Sequence, residues 1–123
     1  MSDEVKIKWL SKPEEHDYPA ALSYLSLIYN AKKAVAFVSK LKRAPIAEFK
    51  AKDIFRASKL PLLGISNERF KRDEKKIQTG KELSPILLVR DRTNGKVIIA
   101  DGYHRLCAVY SHDEDAIIPC KMV

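Results

Sequence analysis

The longest uninterrupted apolar run, Ile86-Leu87-Leu88-Val89, predicts a strand buried on both faces, because a strand wetted on one side alternates instead. A second run, Lys96-Val97-Ile98-Ile99-Ala100, follows Asn94-Gly95, the dipeptide preferred in a two-residue type I′ turn. The two runs therefore predict a hairpin whose first strand is central in its sheet. After Ala100 the period changes. Tyr103, Leu106, Cys107 and Tyr110 fall at i, i+3, i+4 and i+7, which predicts a helix from about Tyr103 to His112 with one buried stripe, leaving His104, Arg105 and Ala108 off it.

Upstream, beyond a Trp9-Leu10 anchor, Asp17 is placed to cap a helix, Pro19 suits its first turn, and Leu22, Leu25, Ile28 and Tyr29 recur at helical spacing. A second helix is predicted from about Ala31 to Lys42, with Ala34, Val38 and Leu41 on one face, so that a helical hairpin ends at Pro45. From Ile46 the alternation of Ala47, Phe49 and Ala51 with Glu48, Lys50 and Lys52 predicts an extended segment running into Asp53-Ile54-Phe55-Arg56. Leu60-Pro61-Leu62-Leu63-Gly64 reads as a turn. Ser66 or Asn67 is then placed to cap a mostly solvent-facing charged helix that runs through Phe70 and Ile77 and ends at Gly80. The final strand, Ile117 to Val123, contains Pro119, which lacks a ladder donor and argues for a sheet edge. These elements predict a small α+β protein with a mixed sheet and helices. It reads as a single domain, 1–123, with an N-terminal helical extension over 1–44 and a core over 45–123.

Composition narrows the setting. The chain has 123 residues, of which 46% are hydrophobic and 32% charged, a balance suited to one globular domain. No stretch approaches the ~20 apolar residues that span a bilayer, and the start, Met1 to Lys6, lacks the pattern of a secretory signal, so a cytoplasmic protein without membrane contact is expected. Cys107 and Cys120 share no metal-binding spacing and are expected to be reduced, without structural zinc. The net charge of +7 is concentrated between Lys32 and Lys59, where nine cationic residues stand against Glu48 and Asp53. Two readings stay open there, a solvated basic face or a surface for polyanions such as nucleic acid.

The candidate chemistry lies where the second hairpin strand passes through Gly102 into a helix. Unpaired amides and about half a positive charge at a helix start favour a phosphate, and a glycine lets it approach the backbone. His104 and Arg105 stand on the first turn. A guanidinium there is disfavoured by the helix dipole yet suited to phosphate oxygens. Asp101 is placed either to cap the helix or to act chemically, and Tyr103 either to line the site or to join the core. Arg56 and Lys59 either reach the same phosphates from a neighbouring loop or remain solvated.

The order of these elements resembles the ParB N-terminal/sulfiredoxin superfamily, over about Ile46 to Val123. Lys81 to Val89 is similar to that superfamily's segment leading into a hairpin strand, and Asp101-Gly102-Tyr103-His104-Arg105-Leu106-Cys107-Ala108 to its phosphate box. Tyr103 stands where sulfiredoxins carry the catalytic cysteine, so sulfinic-acid reduction is not expected. The chain also ends where a partition protein's helix-turn-helix domain would begin, and His104 replaces one of two box arginines. The box is also similar to the Asp-Gly-His-x-Arg type of free serine kinases. The resemblance implies a nucleotide such as ATP or CTP bound at Gly102, Tyr103, His104 and Arg105 with Arg56 and Lys59. It further implies Asp101 as a catalytic group in Mg²⁺-dependent phosphoryl transfer or nucleotide hydrolysis, aided by a second carboxylate such as Glu48 or Glu68. The alternative is a non-catalytic nucleotide sensor or DNA-associated regulator.

Overall fold

In the computed structural model, which describes residues 6–62 and 68–123, the central apolar run is strand β4 (Ile86–Asp91), and its alternation sorts the fold into layers. The elements before it are β1 (Lys8–Trp9), α1 (Asp17–Leu25), α2 (Ala31–Arg43), β2 (Ala47–Lys50), α3 (Ala51–Ser58), α4 (Glu68–Gln78) and β3 (Glu82–Leu83). Those after it are β5 (Lys96–Asp101), α5 (Tyr103–His112) and β6 (Ile117–Met122). Leu87 and Val89 of β4 join Ile98 and Ala100 of β5 in a cluster with Ala21, Leu25, Ala34, Val38 and Leu41 of α1 and α2. Ile86, Leu88 and Ile99 face the other way, into a larger cluster with Ile54 of α3, Phe70 and Ile77 of α4, and Leu106 and Val109 of α5. Because successive strand residues point to opposite faces, burial by helices on both sides requires an unbroken apolar run. The helical hairpin is thus one of the two layers covering the sheet.

Four strands run in the order β2-β6-β4-β5, with β4 and β6 parallel and the outer pairs antiparallel, giving an α+β fold with a mixed sheet. A separate two-stranded sheet joins β1 to β3. β4 is internal, as its sequence predicts. β6 is internal too, and the edge position inferred from Pro119 is corrected. The ladder to β4 begins only at Cys120, so Pro119 lies where β2 is the single neighbour and a missing donor is tolerated.

Three local expectations also change. The segment after Lys50 is helical, because Ala51, Ile54, Phe55 and Ser58 follow a helical period. Its first amides donate to the carbonyls of Ala116 (2.9 Å) and Glu114 (2.9 Å), which removes the cost of an open helix start. The β4–β5 connection spans four residues, 92–95, in place of a two-residue turn: Asp91 pairs with Lys96, and only Gly95 takes a positive φ. Asp91 holds the loop by accepting from the backbone and side-chain nitrogens of Asn94 (3.2 and 2.8 Å). Asp17 does not cap α1. His16 occupies that position, and Asp17 is the first helical residue with its carboxyl turned inward. The end of the Leu60–Gly64 turn and the caps assigned to Ser66 or Asn67 lie outside the described residues.

Candidate functional site

β5 reaches α5 through a single residue, Gly102, at φ 110° and ψ 16°. A Cβ there would stand 2.9 Å from the Arg105 guanidinium and 2.9 Å from Cγ1 of Ile86. The turn is therefore packed closely against its own chain, and a side chain at this position would force Arg105 or Ile86 to move. Gly102 is also the N-cap of α5, so Asp101 is not, and no side chain caps the helix. Its first hydrogen bond runs from Leu106 N–H to the Gly102 carbonyl at 2.9 Å. The amides of Tyr103, His104 and Arg105 thus have no intrahelical acceptor.

A cleft of about 330 Å³ opens beside this turn. His16 and Asp17 form one wall, Arg69, Arg72, Asp73 and Lys76 of α4 the other, and Asp101, Gly102, His104 and Arg105 the floor. The cationic side chains come mostly from α4, whose buried face is Phe70, Asp73 and Ile77.

The three carboxyls differ in their surroundings. Asp17, 2% exposed, accepts from the backbone N–H of Glu14 at 3.1 Å and from the hydroxyl of Ser84, and lies 3.4 Å from the His16 ring nitrogen. Asp101 receives the Arg105 guanidinium at 2.9 Å, both side chains being under a fifth exposed. Burial pushes the Asp101 carboxyl above the usual range; Arg105 pulls it down by charge and hydrogen bond, and the adjacent Asp17 carboxyl pushes it up again. Asp73, 8% exposed, makes no hydrogen bond and no ion pair within 4.0 Å among the described residues. Burial raises its pKa too, against the pull of Arg105, Lys76, His104 and Arg72. His104 is held below its ordinary value, first by burial and then by the charge of Arg69, with Asp73 pulling the other way.

Of the residues singled out in the sequence, Asp101, Gly102, His104 and Arg105 come together here. Arg105 is folded back on Asp101 and also reaches the Pro85 carbonyl at 3.4 Å, so it braces the turn from below. Tyr103 turns away from the cleft and donates its hydroxyl to the Pro61 carbonyl. Arg56 is an exposed residue 3.7 Å from Asp53, and Lys59 ends α3 at φ 58°; neither lines the cleft. Glu48 and Glu68 are also absent from it, and Asp17 and Asp73 supply the further carboxyls. Asp73 had a visible signal: Phe70, Asp73 and Ile77 are spaced i, i+3 and i+7, so a charge stands on the apolar stripe of a helix.

A wider groove of about 920 Å³ runs past Trp9, Ile46 and Ile117, but its polar members Lys6, Ser11, Glu48, His112 and Asp113 are all exposed, and no buried charge among the described residues lines it. The basic excess between Lys32 and Lys59 does not form one surface. Five of its residues lie on α2, and Lys52, Arg56 and Lys59 lie on or end α3, across the sheet. Lys52 is 2.8 Å from Asp115, and Lys42 stands over the Tyr18 ring. Among the described residues no helix is long and apolar enough to cross a membrane. Nor do three His, Cys, Asp or Glu side chains among them converge as a metal-binding group. With Asp101 engaged by Arg105, the residues do not fit a resident Mg²⁺.

Fold and cleft together define a small α+β protein with a charged cleft at an uncapped helix start. Set against known proteins, the chain matches no family model, no curated protein and no solved structure.

Proposed function

We propose that the cleft binds the phosphates of a nucleotide between the start of α5 and the basic wall of α4. One observation carries this reading: Arg69, Arg72 and Lys76 line the cleft in which α5 presents its uncapped first turn. Backbone donors, a favourable helix dipole and cationic side chains are the components of an anion site. The resemblance of the Asp101–Arg105 box to the phosphate box of the ParB/sulfiredoxin superfamily supports the same ligand class. Binding is the proposed activity. The arrangement gives less support to transfer, since Asp101 is tied to Arg105 and the carboxyls do not form a metal site.

The test is a thermal-shift series with ATP, CTP and pyrophosphate, with and without Mg²⁺, at low salt. A ligand at a hundred times its dissociation constant adds about 2.7 kcal/mol to a folded state that alone binds it, so the melting temperature should rise. An Arg72→Ala, Lys76→Ala double variant should lose most of that response while melting like the parent without ligand. Absence of any shift for the parent with all three compounds refutes the proposal. Release of phosphate during the incubation is measured in the same samples and would add a chemical step to the binding function.

A further inference from the structure

Among the described residues Asp73 is a buried carboxylate without a hydrogen-bond or ion-pair partner, in a cleft lined by four cationic side chains. Leaving such a group unpaired costs stability, and buried polar atoms normally have a hydrogen-bond partner. Arg72 and Lys76 on its own helix and Arg105 and His104 on α5 are near enough to act on its charge, yet none bonds to it. Its carboxyl therefore lies open to the cleft beside Arg72 and Lys76, while Arg105 is held by Asp101.

We propose that Asp73 receives a ribose hydroxyl of the nucleotide whose phosphates lie on Arg72, Lys76 and the start of α5. This rests on the phosphate-binding function above and adds the part of the ligand next to the phosphates. A neutral hydroxyl is the donor that fits. An ammonium group would meet the repulsion of Arg69, Arg72, Lys76 and Arg105, which a hydroxyl does not. The spacing agrees as well. Asp73 lies three residues before Lys76 and four after Arg69 on α4, positions whose Cβ atoms are roughly 5–6 Å apart, about the width of a sugar ring. A carboxylate that binds ribose hydroxyls beside a helix-start phosphate site is the arrangement used in doubly wound α/β dinucleotide-binding folds.

The experiment measures equilibrium binding of pyrophosphate, ATP and 2′,3′-dideoxy-ATP to the full chain and to Asp73→Asn. A hydrogen bond to a charged group corresponds to on the order of tenfold or more in affinity. ATP should bind the parent at least that much more tightly than its dideoxy analogue. Asp73→Asn should narrow the difference between the two nucleotides, while pyrophosphate, relieved of a neighbouring negative charge, should bind the variant at least as tightly as the parent. Equal binding of ATP and dideoxy-ATP to the parent, with pyrophosphate still bound, overturns the role of Asp73 and leaves the phosphate site standing. Failure of the parent to bind pyrophosphate or ATP removes the phosphate site and the role of Asp73 with it. The comparison of the two nucleotides on the parent holds whether or not the variant folds.

Discussion

The two walls of the cleft each bury an aspartate, and they treat it in opposite ways. Asp17, at the start of α1, accepts from Glu14 N–H and the Ser84 hydroxyl and has a histidine beside it. Asp73, on α4, is almost as deeply placed and has no bonding partner among the described residues. A carboxylate given several donors ties distant chain segments together, as Asp17 does across 67 residues to Ser84. One left without donors contributes nothing comparable to the fold. The contrast separates a wall that organises the structure from a wall that remains open to a ligand.

The largest disruption of this contrast comes from the floor that holds the walls in register. Gly102→Val places a branched side chain at φ 110°, within 3 Å of the Arg105 guanidinium and of fully buried Ile86. Strain and overpacking together should cost about 3 kcal/mol in urea unfolding. A loss below about 1 kcal/mol would mean that the turn relaxes freely and does not fix the cleft.

Next in size is Asp17→Ala, which leaves the Glu14 amide and the buried Ser84 hydroxyl without their acceptor. Glu14 N–H also lies 3.1 Å from the Ser84 oxygen, so part of its bonding survives. A loss of about 2 kcal/mol is expected, with Asp17→Asn, which keeps an acceptor oxygen, losing less. If both variants unfold at the parent's midpoint, Asp17 is not the structural member of the pair.

Much of this architecture is readable from residue pattern, and the cleft is readable only in part. The apolar runs identify β4 and β5, and the Tyr103 to His112 helix has the bounds its period predicts. That period understates its burial, since Ala108 and Val109 are enclosed along with Leu106 and Cys107. A helix packed between α3 and α4 is covered over more than one stripe. The local chemistry of the Gly102 turn is also visible, because the four residues of the floor are contiguous in sequence. The walls are not. Asp17 and Asp73 approach Asp101 through tertiary packing alone, and Asp17 resembles an ordinary N-cap until its inward turn is seen. Asp73 is legible in retrospect as a charge on an apolar stripe, a conflict between local pattern and burial that often accompanies function.

The smallest and most discriminating effect is that of Asp73→Asn on stability as a function of pH. Burial holds the folded-state pKa of Asp73 above the ordinary 3.8, so the folded chain binds its proton more tightly than the unfolded chain does. By linkage, the stability this group contributes is fully present below about pH 3.8 and is lost as pH rises through the raised folded value. Asparagine has no charge to desolvate. Variant and parent should therefore unfold at nearly equal denaturant concentrations at pH 3.5, and the variant should become the more stable by about 1 kcal/mol near pH 7. His104 acts with the opposite sign, since its lowered pKa removes stability as pH falls through the folded value; the charge of Asp73 opposes that lowering, so Asp73→Asn lowers the His104 pKa further and the pH-dependent difference carries both groups. A difference that does not change with pH, or a parent more stable at pH 7, would show that Asp73 has a stabilising partner and belongs with Asp17. A variant that gains stability near pH 7 and loses ribose discrimination would show that the open wall of the cleft sacrifices stability for ligand contact.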